Sequence, residues 1–394
     1  MSGVLHGVRV LDFGRYVAGP FCAALLADMG ADVIRIDRIG GGEDRFVMPV
    51  AADGQGALFL QSNRNKRSLT LDIDHPEGQV VVQRLVRSAD VVVVNMPVQT
   101  LRKLSLDYES LTAIRPDIIL TTVSAFGNRG PLSQRPAFDA IGQAMSGAVY
   151  LSGMPRQPAR SMVQPVDFAT AMCAAFGTMA ALYERRISGK GQVVEASLLH
   201  TALTQASGPL IEEAATGIGR QASGNRSPIS GPSDIFSVKD GWIIVSVVGQ
   251  PIFERWVKLV GRPEMLTDAR FRHDLARGEN GEELSAVMSG WCQARTRSEA
   301  LLELERARIP AGPVYSPRET LGDEHIQSSG FLTATDYPGL PRPTPVVATP
   351  VSLSRTPATI RSRAPMTGEH SDAILGEIGY DPVAIARLKE SNVV

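Results

Sequence analysis

The sequence predicts an α/β fold, with a parallel sheet in its first half and a smaller α+β unit beyond it. Three observations carry this. Short β-rich runs alternate with helical patterns from residue 7 to about 197, as in strand–crossover–strand units. Several runs are nearly continuous Val/Ile/Leu, which suits strands buried on both faces. The texture then changes to Gly, Ser and Pro in "TGIGRQASGNRSPISGPSD" (216–234), a linker or active-site loop.

The elements follow in order. "GVRVLDF" (7–13) reads as a strand, and "GPFCAALLADMGA" (19–31) as a helix with Pro20 near its start and Gly30 near its end, the expected asymmetry. "DVIRID" (32–37), "RSLTLDI" (67–73), "DVVVVNM" (90–96), "DIILTTVSA" (117–125) and "GQVVEAS" (191–197) are further strands. Apolar residues at helical spacing mark 75–89, and 107–116 is a second crossover helix. Residues 168–187 are helix-compatible, Ala-rich and apolar around most of the circumference, so a central buried helix is expected there, stopping at Ser188-Gly189. Beyond the linker, 235–315 reads as a smaller unit, with a hairpin turning at Asp240-Gly241.

The 394 residues carry 40 Lys plus Arg against 41 Asp plus Glu, a formal net charge of -1. No global basic field would draw the chain to nucleic acid or to an anionic membrane, so an anionic ligand must be met locally. Cys22, Cys173 and Cys292 lie far apart in sequence. They form neither a metal spacing nor a disulfide framework, and a reducing cytoplasm is expected. The N-terminus lacks the pattern of a signal peptide, and the apolar stretches read as too interrupted to cross a bilayer.

The loop after the first strand, "FGRYVAGP", has neither the GxGxxG spacing of a dinucleotide site nor a P-loop. "IGGGED" (39–44) reads as a plain loop. Arg64, Lys66 and Arg67 cluster before a strand, either as a solvated turn or as a phosphate contact. No HxxxH, HExxH or GxSxG occurs, so metal hydrolysis and a serine elbow lack support. Asp167, just ahead of the Ala-rich helix, suits two roles. It is a good N-cap, and a carboxylate can also attack an acyl group to form a covalent intermediate. The residues alone leave both open.

Five blocks occur in a recognisable order: "GVRVLDFGRYVAGPFCAALLADMGADVIRID", "NKRSLTLDI", "GPLSQRPAFDAIGQAMSG", "PVDFATAMCAAFGTMAALYERRISGKGQVVEASLL" and "GNRSPISGPSDIFSVKDGWIIVSV". With "GEHSDAILGEIGYDPVAIARL", the chain resembles the class III (CaiB/BaiF-type) CoA-transferases over almost its whole length. The resemblance implies a Rossmann-like large domain built from both chain ends (1–215 and 316–394), a linker (216–234), a small α+β domain (235–315) and an interlocked, ring-like homodimer. It implies Asp167 as nucleophile, passing through an aspartyl anhydride and an aspartyl-CoA thioester. Acyl-CoA and a small carboxylic acid are the implied substrates, with no tightly bound cofactor or metal. By the same resemblance Val17, Ala18, Arg38, Asn63, Lys66, Asn95 and Lys103 contact CoA, and Asp139 lies near the nucleophile.

The chain departs from the family pattern at three places. "VNMPVQT" stands where many relatives have ENFxPG, with Lys103 where Arg is common. Only Gly249 answers the glycine run of formyl-CoA transferases. Phe138 stands where racemases of this fold carry a histidine. Racemisation needs an acid/base on each face of the α-carbon, and Phe supplies none. CoA transfer is therefore expected, with a racemase or a non-catalytic acyl-CoA-binding protein as alternatives.

Overall fold

The computed structural model describes residues 3–51 and 55–394, which form two compact units. The first comprises residues up to Ser146, Ser161–Leu210 and Glu324–Val394. Its sheet contains β1 (Arg9–Asp12), β2 (Asp32–Asp37), β3 (Lys66–Thr70), β4 (Val91–Val94), β5 (Ile119–Ser124) and β6 (Val193–Ser197). All neighbours are parallel, in the order β3-β2-β1-β4-β5-β6. The chain therefore walks outward from β1, returns, and continues on the other side. The topological switch between β1 and β4 opens a crevice at the strands' carboxyl ends, the usual ligand position in such sheets.

Successive strand residues serve opposite faces. Val10, Val33, Val91, Val93 and Ile119 pack against α1 (Ala18–Asp28) and the long helix Pro165–Ser188. Leu11, Ile34, Val92, Val94 and Leu120 pack against the helix Pro76–Ser88 and against Ile374, Leu375, Ile385 and Leu388 from the chain's end. Both faces are thus covered, which explains the unbroken apolar runs. Every residue of α1 is buried. Gly14 lets the β1–α1 loop turn tightly, since a Cβ there would lie 2.8 Å from Asp12 Oδ1 and 2.9 Å from Pro20.

The Pro165–Ser188 helix corrects three expectations. It starts three residues before Phe168, with Pro165 in the first-turn position that Pro favours. It is also, by length and composition, long and apolar enough to cross a membrane, with a mean hydropathy of 1.3 over 18 residues. Val166, Ala171, Ala174, Ala175, Ala181 and Leu182 put one side of the helix into the core, while Met172, Phe176, Tyr183 and Ile187 stay exposed, so the helix is buried on one side only and not all round as expected. The helix stops where expected, at Gly189, which adopts φ +73.

The second unit comprises Gly147–Arg160 and Ile211–Asp323. Its antiparallel sheet joins β7 (Ser233–Val238), β8 (Gly241–Ser246) and β9 (Ala311–Pro313) in the order β9-β8-β7. Phe236, Ile243 and Val245 meet Trp256, Met288 and Leu304 in its core. Residues 147–160, read from sequence with the large domain, group here instead. The Gly224 N–H donates to Gly153 O at 2.6 Å, and the Tyr150 hydroxyl donates to Gln221 at 2.9 Å.

Candidate active site

Asp167 is not the cap of its helix. The N-cap position is Gln164, which gives no side-chain bond. The cap comes from Asp139, whose Oδ2 accepts from the backbone N–H of Val166 at 2.8 Å and of Asp167 at 2.9 Å. Gln143 Nε2 donates to the other Asp139 oxygen. Two of the helix's orphan donors are therefore satisfied from 27–28 residues upstream, and no donor among the described residues bonds the Asp167 carboxylate. Burial pushes that carboxyl up from 3.8 to about 7, and the negative charge of Asp139 adds to the shift. A half-buried, unbonded carboxylate with such a pKa is a mark of a reacting group.

Asp167 borders a cavity of about 240 Å³ together with Val17, Ala18, Asn95 and Phe138. A second hollow, of about 460 Å³, is lined by Arg38, Lys103 and Leu71–Asp74. Arg15 and Met96 line both, so the two adjoin at the β1/β4 crevice. The connecting loop is fixed by paired bonds: Asn95 Oδ1 accepts from Arg15 N–H at 3.0 Å, and Asn95 Nδ2 donates to Arg15 O at 2.7 Å. Gly14 N–H donates to Asp12, and Arg35 donates to Gly14 O. Among the described residues no group of three or more His, Cys, Asp or Glu is placed to hold a metal ion.

Six of the nine expected residues thus come together. Val17, Ala18, Asn95 and Asp167 border the smaller cavity, and Arg38 and Lys103 the larger. Asn63 and Lys66 do not join them and are corrected here. Both side chains are buried. Lys66 Nζ donates to Asp12 at 2.7 Å, Pro20 O at 2.7 Å and Asn63 Oδ1 at 2.9 Å, engaging all three of its donors. Burial lowers its ammonium to about 8 despite the pull of Asp12, so it stays a cation at neutral pH. Arg64 is equally engaged, with Asp28 at 2.6 Å. Lys66 and Arg64 thus neutralise the buried acids Asp12 and Asp28. Asp139 lies beside the nucleophile, its Oδ2 accepting from the Asp167 N–H at 2.9 Å, and it sits there as a buried helix cap.

Residues missed from the sequence include Tyr16, Met96, Leu71–Asp74 and the 133–138 loop. A usable signal existed for 71–74, because residues just past the carboxyl end of a parallel strand face the ligand crevice. The 133–138 loop has no such marker.

A match to the family described as "CoA-transferase family III" runs over residues 5–371. The chain belongs to CoA-transferase family III. It is 34% identical over 394 residues to the succinyl-CoA–D-citramalate CoA-transferase of Chloroflexus aurantiacus, covering 99% of this chain and 98% of that protein. It is 33% identical to the succinate–glutarate CoA-transferase of Agrobacterium fabrum, covering 95% of each. Among solved structures, a CaiB/BaiF family protein from Brucella suis superposes with a TM-score of 0.84 at 32% identity, covering 96% of this chain and all of that one. The recognition made from the ordered blocks, and the assignment as a class III CoA-transferase, therefore stand. Enzymes of family III use CoA thioesters as substrates, so the two adjoining hollows are read below as a thioester site.

Proposed function

We propose that this enzyme moves CoA from a dicarboxylic acyl-CoA donor, with succinyl-CoA the first candidate, to a second carboxylic acid. The observation that carries the reading is the Asp167 carboxylate, which no donor among the described residues bonds, at the edge of the 240 Å³ cavity. Attack by an Asp167 oxygen on the thioester carbonyl forms an anhydride and expels CoA thiolate. The thiolate attacks the aspartyl carbonyl, releasing the donor acid and leaving an aspartyl-CoA thioester. The acceptor carboxylate then expels the thiolate to form a second anhydride. Thiolate attack on its acyl carbon gives the new acyl-CoA and restores Asp167. Val17 and Ala18 stand at the start of α1, whose first N–H groups lack intrahelical acceptors and suit a developing oxyanion. Arg38 and Lys103 are exposed cations at the larger hollow, Lys103 paired there with Asp74 at 2.8 Å, and a CoA phosphate can take the place of that exposed partner. Arg135 borders the Asp167 cavity without an ion-pair partner among the described residues, and it suits an anionic substrate. Succinyl-CoA or succinate stands in the names of both relatives above.

The test is intact-protein mass after mixing with succinyl-CoA, followed by hydroxylamine treatment and peptide mapping. A CoA-sized adduct at Asp167, released by hydroxylamine, is expected. Bound thioester with no adduct, but with α-hydrogen exchange in deuterated water, would overturn the reading in favour of a racemase. Binding with neither signal would leave an acyl-CoA-binding protein.

The reading extends to a two-domain chain in a reducing cytoplasm, where its three free cysteines suit the compartment, and to a homodimer. The long helix turns Phe176, Tyr183 and Ile187 outward at 78%, 69% and 73% exposure, an apolar stripe on one face. In the second unit Trp242 and Ile244 of β8 are exposed as well. Such faces suit a second copy of the chain. Sedimentation at micromolar concentration is expected to return a dimer; a monomer alone would remove this part.

A further inference from the structure

We propose that Tyr16 and Phe138 form an aromatic shutter over Asp167 that keeps water from its covalent intermediates. This rests on the transfer reading above. The two rings meet edge to face, with centroids 5.3 Å apart and an interplanar angle of 86°, and both border the Asp167 cavity. They come from separate segments, Tyr16 from the β1–α1 loop and Phe138 from the N-cap of the helix Asp139–Met145.

Each ring is carried by backbone that has little freedom. Tyr16 adopts φ +62, a left-handed conformation that L side chains avoid. Neighbouring bonds hold it there: its N–H donates to Asp44 at 3.3 Å, and both backbone groups of Arg15 are tied to Asn95. Phe138 immediately precedes Asp139, whose carboxylate grips the N–H groups of Val166 and Asp167. The clamp that orients the nucleophile therefore also sets the ring beside it. Phe138 is nevertheless 61% exposed, so core packing does not explain its place.

The chemistry supplies the reason. Anhydride and aspartyl thioester both react with water, which adds its oxygen to the acyl carbon and releases a carboxylic acid. Each such event discards the thioester that the cycle must conserve. Water must therefore be kept out between half-reactions, while the acids still enter. Tyr16 is also steadied by its hydroxyl, which donates to Glu43 at 3.5 Å, while the exposed Phe138 ring can swing aside for a substrate and close again.

The experiment uses the full-length protein with succinyl-CoA and measures the lifetime of the Asp167 adduct by mass in acceptor-free buffer. Phe138→Ala is expected to shorten it about tenfold, and Phe138→Leu to restore most of it. Tyr16→Gly, which tolerates the left-handed φ, should shorten it likewise and serves if Phe138→Ala does not fold. An adduct lifetime unchanged in both variants overturns the shutter. A wild-type protein that forms no adduct overturns the transfer reading instead, and the shutter with it.

Discussion

Asp167→Asn is expected to abolish the CoA adduct, to lower turnover by about 10⁴-fold or more, and to make the protein more stable above pH 7. The amide keeps the shape of the side chain but supplies no nucleophilic carboxylate. The stability gain follows from the raised pKa. In the folded chain the Asp167 carboxyl titrates near 7, against 3.8 ordinarily. Between those values the folded state keeps a proton that the unfolded state has released, so wild-type stability falls as pH rises through that window. Near pH 4 the carboxyl is neutral in the folded state and the two proteins should melt alike. At pH 8 the wild type carries a desolvated, unpaired charge, and the variant should be ahead by about 2–4 kcal/mol. Thermal midpoints of both proteins across pH 4–8 check this, and parallel curves would show that the charge is not desolvated. The same titration requires wild-type acylation to speed up as pH rises through about 7, since the anion is the nucleophile.

Lys66→Met is expected to cost about 3–5 kcal/mol of stability, because it leaves the Asp12 carboxylate buried without its cation. The two lie 2.7 Å apart with neither side chain exposed. Adding Asp12→Asn should recover much of the loss, by making the orphaned group neutral. Urea unfolding of the single and double variants gives both numbers. A Lys66→Met protein of normal stability with weakened CoA binding would instead return Lys66 to the phosphate site. The consequence reaches the active site through the network that Lys66 belongs to. Asp12 holds Gly14 N–H, while Arg35 holds Gly14 O and pairs with Asp44, which receives the Tyr16 N–H. Loosening it should disorder the loop that presents Val17 and Ala18.

The strands were legible because each is a short β-branched run between turn residues, and all six predicted in the first half pair into one sheet. Asp167 was legible as a candidate through its place before the Ala-rich helix. Its role was not, since the competing cap comes from Asp139, and nothing local reveals that bond. The basic turn misled for a similar reason. Lys66 meets Asp12 54 positions away and Arg64 meets Asp28 36 away, pairings that charge counting within a window cannot see. "IGGGED", read as a plain loop, ends in Asp44, which is buried against Arg35. Phe138 showed from sequence only what it could not do as a proton donor. Its contact with Tyr16 required the folded positions of two distant loops.

Because Asp139 and not Asp167 secures the start of the long helix, the two carboxylates divide shape from reactivity. The reactive one can be silenced without loosening its surroundings. The Asp167→Asn protein is therefore a suitable decoy for crystallography: it should seat an intact donor thioester, halt before the first bond forms, and reveal which acid the pocket was built to hold.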